Sequence, residues 1–277
     1  MPDPAADRAL SLSYYTVPEL SFSELVDVAA DAGCRHVGVR LLHGAPTEAP
    51  TGLLASPAAR REAVARMNAR GITPLEASAA RIRPLSVMDD FSAFLEACAE
   101  IGARHVMCTL DDADVARADA NLARLCEMAV QFDLRIEIEF VPWMTVASLN
   151  DAMAVVRRVG SANLGIALDA LHFDRSSSRV ADLANVPASV LGVVQICDAA
   201  VCTDFSAAAQ MHVATEERLF PGEGQIDLRG MLRAVPSHLP LALEIPTATL
   251  ARTMPAAQRV ARAVEATRRV LEGVQRG

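Results

Sequence analysis

Short apolar runs recur along the chain, each followed by a longer stretch whose apolar positions repeat with helical period. Runs of this length and composition read as buried strands. They fall at 10–17 (LSLSYYTV), 36–41 (HVGVRL), 73–78 (TPLEAS), 105–110 (HVMCTL), 135–140 (RIEIEF), 164–169 (LGIALD), 191–197 (LGVVQIC) and 239–245 (LPLALEI). Several intervening helical stretches open on Ser, Thr or Asp and close on Gly, as in SFSELVDVAADAG with Ser21 or Ser23 as N-cap. Side-chain oxygens satisfy the first free N–H groups of a helix, and glycine accepts the left-handed turn that ends one. Eight strand-and-helix units with no linker between them predict an α/β fold, a single-domain (β/α)8 TIM barrel spanning residues 1–277. The competing doubly wound sheet lacks support, because no G-x-G-x-x-G follows the first strand.

In such a barrel, chemistry is carried by the C-terminal ends of the strands. Strand five ends in Glu139, strand six in Asp169, strand seven carries Gln195 near its end and strand eight has Glu244. One such carboxylate has an ordinary explanation, since it can cap the next helix or face water. Four adjacent strands presenting three carboxylates and an amide are harder to explain that way. Carboxylates converging on one mouth repel one another unless a cation sits between them. An all-oxygen set favours Mn, with Mg or Co as alternatives, over tetrahedral Zn. The connection from 198 to 226 is unusually long and lies on the catalytic side, as expected of an active-site loop.

Composition narrows the chemistry further. All 26 basic residues are Arg, which excludes Schiff-base and P-loop mechanisms that require Lys. Net charge is −8 with no basic stripe, so nucleic acid is not an expected partner, and an apurinic endonuclease is disfavoured. No apolar run is long enough to span a bilayer, and the start resembles no signal peptide. The six Cys include no C-x-x-C pair and read as reduced, mostly buried side chains. A cytoplasmic protein is expected, and its apolar content is compatible with a homodimer.

The segments RIEIEFVPW, LGIALDALHFDRS, VVQICDA, RLFPGEGQIDL and LALEIP resemble those of the xylose isomerase-like TIM barrels. That group contains sugar isomerases, ketose 3-epimerases, inosose dehydratases and 3-dehydroshikimate dehydratases. The resemblance is specific over about 135–250 and architectural before it. It implies metal ligation by Glu139, Asp169, Gln195 and Glu244, substrate contact by His172, and closure of Arg218 on a substrate oxygen. Many epimerase-like members carry His where this chain has Gln195, a departure shared with some of the dehydratases.

The expected function is a divalent-metal-dependent sugar isomerase or epimerase acting on a small polyhydroxy carbonyl substrate through a metal-stabilised enediolate. Glu139 and Glu244 exchange the proton and His172 serves a leaving or migrating oxygen. A dehydratase of the inosose or 3-dehydroshikimate type is the alternative, and a non-catalytic ligand-binding barrel is a third reading. Trp143 is either a pocket wall or a loop anchor. His43 and His212 are further candidates on the catalytic side, whereas His36, His105 and His238 are assigned structural or exposed positions. Glu137 needs a buried partner, for which Arg40 and Glu76 are the candidates, and either could instead contact substrate. Cys197 has no partner base and is not a nucleophile.

Overall fold

The computed structural model describes residues 8–42 and 52–275. Eight parallel strands close into a barrel in chain order, with β8 returning to β1. They are β1 (Leu10–Leu12), β2 (His36–Arg40), β3 (Thr73–Ile82), β4 (His105–Leu110), β5 (Arg135–Glu139), β6 (Leu164–Asp169), β7 (Leu191–Ile196) and β8 (Leu241–Leu243). The helices are α1 (Phe22–Asp31), α2 (Pro57–Arg70), α3 (Ser92–Ile101), α4 (Val115–Val130), α5 (Leu149–Val159), α6 (Ala170–Arg175), α7 (Ala207–Glu216), α8 (Leu228–Ala234), α9 (Ala248–Ala251) and α10 (Ala256–Gln275). The eight-strand (β/α)8 expectation is met. Ser21 is the N-cap of α1, accepting from the Glu24 N–H while the Glu24 carboxylate returns to the Ser21 N–H. Gly71, Gly102 and Gly160 end α2, α3 and α5 in the left-handed conformation.

Several boundaries differ from the expectation, among them β8, placed at 239–245 and observed only at Leu241–Leu243. The strand placed at 10–17 stops at Leu12, and Tyr14–Thr16 forms a 3-10 turn. β3 runs four residues past Ser78, so that Arg81 pairs in register with Thr109 of β4. The long connection after β7 contains α7, a helix with little amphipathic signal to announce it.

Two apolar regions result. The larger packs the outer faces of the strands against the helices. The smaller consists of Leu75, Met107, Ala167, Val193 and Ala242. Since side chains alternate faces along a strand, Ala167, Val193 and Ala242 share a face with Asp169, Gln195 and Glu244, two residues further on. The apolar layer therefore lies directly beneath the mouth.

Below this layer sits Glu137, fully buried. Its Oε1 accepts from Arg135 Nε at 2.7 Å and is paired with His105 Nδ1 at 2.7 Å. The partners proposed from sequence, Arg40 and Glu76, are not used. Arg135 is two residues earlier on the same face of β5, and His105 is its register partner on β4, so both reach Glu137 locally. Backbone space for the carboxylate comes from Gly165 and Gly192, where an added Cβ would lie 2.3 Å and 1.9 Å from the Glu137 oxygens.

Candidate metal and active site

A cavity of about 90 Å³ opens at the C-terminal end of the strands and includes Glu139, His172, Gln195, Arg218 and Glu244 in its lining. Asp169 lies just behind them, fully buried and in register with Gln195. The strand-end quartet inferred from sequence is thus brought to one mouth.

Asp169 occupies the N-cap of α6, and its Oδ1 accepts from the His172 N–H at 2.9 Å. The short helix turns His172 back over the mouth. Oδ2 accepts from Arg218 Nη1 at 2.6 Å, inside the barrel. Asp169 is therefore both the cap that its position suggested and a member of the site. Burial pushes its pKa up, but the Arg218 guanidinium, His172 and the two hydrogen bonds outweigh this and hold it below the usual range.

The other two carboxylates behave oppositely. Burial, with the negative charges of Glu244 and Asp169, pushes Glu139 up to about 8. Burial pushes Glu244 up to about 7, with Asp169 adding to the shift and Arg218 and Arg40 opposing it. Burial pushes His172 down to about 4, so its ring is neutral near pH 7. His172 Nε2 stands 3.8 Å from Glu139 Oε1, and Nδ1 is buried with no hydrogen-bond partner. The Gln195 amide donates through Nε2 to Glu244, leaving its buried Oε1 unpartnered.

These observations fit a divalent cation. One ligand atom from each of Glu139, Asp169 and His172 lies within 4.8 Å of the other two. The orphaned Gln195 oxygen and the raised Glu139 and Glu244 are what an added positive charge would satisfy. His172, assigned from sequence to substrate, has a ring nitrogen within 4.8 Å of carboxylate oxygens of Glu139 and Asp169.

Arg218 is held on several sides. Its Nε donates to the Ala214 carbonyl at 2.9 Å and its Nη1 to the Glu244 carbonyl at 3.2 Å. The segment carrying it is fastened by Asp198, whose carboxylate accepts from the backbone N–H groups of Ala199, Gly222 and Ile226 at 2.9, 2.9 and 3.0 Å. A backbone bridge between Asp198 and Leu219 sets Arg218 beside the strand ends.

Trp143 lines the cavity and meets the His172 ring edge-on, with centroids 5.3 Å apart. Arg40 also lines it and is buried; its guanidinium lies 5.0 Å from the Tyr15 ring centroid, and Nη2 donates to the Tyr15 hydroxyl at 3.2 Å. His212 is exposed on α7 and pairs with Glu216, outside the cavity lining. His43 lies outside the described residues. Cys197 is buried with its thiol pushed up to about 12, chiefly by burial, in agreement with its dismissal as a nucleophile. Arg81 and Thr109 line the cavity and were missed from sequence. Cutting β3 at Ser78 hid Arg81, although the alternation in ASAARI continues past that point.

Comparison with known proteins agrees with this architecture. An inosose isomerase from Bacillus velezensis is 26% identical over 159 residues, 54% of this chain and 55% of that protein. A 3-dehydroshikimate dehydratase from Pseudomonas aeruginosa is 33% identical over 129 residues, 45% of this chain and 20% of that protein. The chain thus spans about half the length, or less, of the curated relatives it matches. Among solved structures, the IolI protein with a binding zinc atom superposes with a TM-score of 0.79 at 19% identity, covering 96% of this chain and 98% of that one. Residues 26–270 match the model of one family, and the chain belongs to the xylose isomerase-like TIM barrels.

Proposed function

We propose that this protein is a divalent-metal-dependent isomerase or epimerase of a small polyhydroxy carbonyl compound. The observation that carries the reading is the convergence of Glu139, Asp169, Gln195 and Glu244 on one mouth, where one ligand atom each of Glu139, Asp169 and His172 lies within 4.8 Å of the others. Carboxyls brought together in this way suit general acid–base work. Bound among Glu139, Asp169, His172, Gln195 and Glu244, a divalent ion would supply the charge that polarises a carbonyl and acidifies the adjacent C–H.

The chain's own groups supply the rest. Glu139 ends β5 and Glu244 follows β8, so the two carboxyls approach a bound carbon from different sides. One removes the proton and the other returns one, either to the opposite face or to the neighbouring carbon. Arg218 keeps Asp169 ionised throughout, since a guanidinium does not deprotonate. Trp143 offers a flat wall to the sugar face.

Manganese remains our choice of ion for the oxygen donors, but the imidazole of His172 within the close trio brings zinc into consideration. The match to a 3-dehydroshikimate dehydratase and the amide at Gln195 support a second reading, loss of a β-hydroxyl as water after the same proton removal. A location in the cytoplasm accords with this chemistry, and a homodimer is compatible with it.

Metal content and affinity of the wild type, compared with Asp169→Asn and Glu244→Gln, test the site. Stoichiometric metal that falls at least tenfold in affinity in both variants is expected. Ketoses and inososes would then be screened for exchange of the α-proton with solvent deuterium, and mass spectrometry would separate isomerisation from dehydration. Metal binding indifferent to both substitutions would end the enzyme reading.

A further inference from the structure

The mouth is divided by charge. β5 to β8 bring Glu139, Asp169, Gln195 and Glu244, whereas the opposite wall, from β2 to β4, brings Arg40, Arg81 and Thr109. Arg40 closes β2, Arg81 stands in the extension of β3, and Thr109 is its register partner on β4. All three line the same small cavity as the acidic half. Arg40 is preset, with its guanidinium stacked on Tyr15 and hydrogen-bonded to the phenol. Thr109 is 5% exposed, and its Oγ1 is buried with no hydrogen-bond partner. A buried orphan hydroxyl in a cavity wall is a group awaiting a ligand atom.

We infer that the substrate of this site carries a carboxylate, seated against Arg40, Arg81 and Thr109 while its hydroxy-carbonyl end lies over Glu139, His172 and Glu244. The inference rests on the functional reading above and narrows its substrate class. A guanidinium donates and cannot accept, so a wall built on two of them suits an acceptor-only group. The hydroxyls of a neutral sugar donate as well as accept, and against this wall their protons would go unmatched. Planar guanidinium forks pair with planar carboxylates through two parallel bonds. The Thr109 hydroxyl can donate a further bond. Both arginines also bear on the acidic half: Arg81 opposes the upward shift of Glu139, and Arg40 that of Glu244.

Three matched ligands decide the question: D-fructuronate, D-fructose and D-fructose 6-phosphate share a carbon chain and differ at one end. Each is titrated calorimetrically into the full chain, with and without Mn. The acid is expected to bind at least tenfold more tightly than the neutral sugar. Arg40→Gln and Arg81→Gln should each weaken it about tenfold, the value of a charge-assisted pair. Thr109→Val, which keeps the side-chain shape, should weaken it several-fold if either arginine variant fails to fold. In each variant the loss of fructose affinity should be smaller than the loss of acid affinity. Equal binding of acid and neutral sugar, no binding of the acid, or indifference to all three substitutions would overturn the inference. The phosphate binding most tightly would overturn the assignment of a carboxylate. Failure of metal uptake would instead strike the functional reading, and the metal-free titrations would still decide the anion wall.

Discussion

Single side chains carry unequal loads here, and Glu76 is the clearest case outside the mouth proper. It is 1% exposed, one carboxylate oxygen has no partner, and burial with the charge of Glu244 pushes its pKa up to about 8. Gly38 faces it, where an added Cβ would lie 2.3 Å from its Oε1. In the unfolded chain the same carboxyl titrates near 4.5. The folded state therefore binds the extra proton between about pH 4.5 and about pH 8, and stability falls as pH rises through that window. Glu76→Gln is isosteric and cannot ionise. It should flatten the pH dependence of thermal unfolding and raise Tm at pH 8 by roughly 5 °C. The measurement is calorimetry of chelator-treated protein, and an unchanged slope would mean that Glu76 is ionised in the fold. Nothing in the sequence alone marks Glu76 as buried without a partner, because its isolation depends on which neighbours the closed barrel supplies. Asp169, by contrast, could be read directly, since a carboxylate ending an apolar strand is conspicuous.

At the level of strands and loops, legibility followed the strength of the local signal. β4 and β6 begin and end where the alternation of residue types predicted. β3 did not, because ASAARI is rich in small residues and gives a weak apolar period, so the half of the mouth that contains Arg81 stayed hidden. The 198–226 connection was recognised as long and catalytic, but its internal order comes from tertiary contacts with a single buried carboxylate. Asp198→Ala would release three backbone N–H groups at once, at a cost of roughly 1–3 kcal/mol apiece where they remain buried. Limited proteolysis is expected to cut the variant between Ala200 and Ser206 well before the wild type. Equal cleavage rates would show that Arg218 and the flanking helices hold the segment unaided.

Across the molecule, barrel closure converts a linear order into a spatial one. Residues 36–109 supply Arg40, Arg81 and Thr109 to the cavity lining and residues 139–244 supply Glu139, Gln195, Arg218 and Glu244, so the two halves of the chain face each other across it. The sequence resemblance was specific only in the second half, the half that carries the metal-binding residues implied by it. Arg81 and Thr109, which lie in the first half and line the cavity, were correspondingly out of reach without the fold. Among the described residues no helix is long and apolar enough to cross a membrane.

The apolar layer of Leu75, Met107, Ala167, Val193 and Ala242 has a consequence for isotope chemistry. It lies beneath the mouth, and Glu76 and Glu137 in the barrel interior are 1% and 0% exposed, so solvent protons reach Glu139 and Glu244 through the mouth. A substrate lying across the opening stoppers that route for as long as it stays. The carboxyl that lifts the proton then keeps it while the other, charged from solvent beforehand, returns its own, so product formed in D2O should carry one deuterium per turnover and recovered substrate none. Met107→Ala would pierce the layer from its bulkiest point, and deuterium should then appear in the recovered substrate as well.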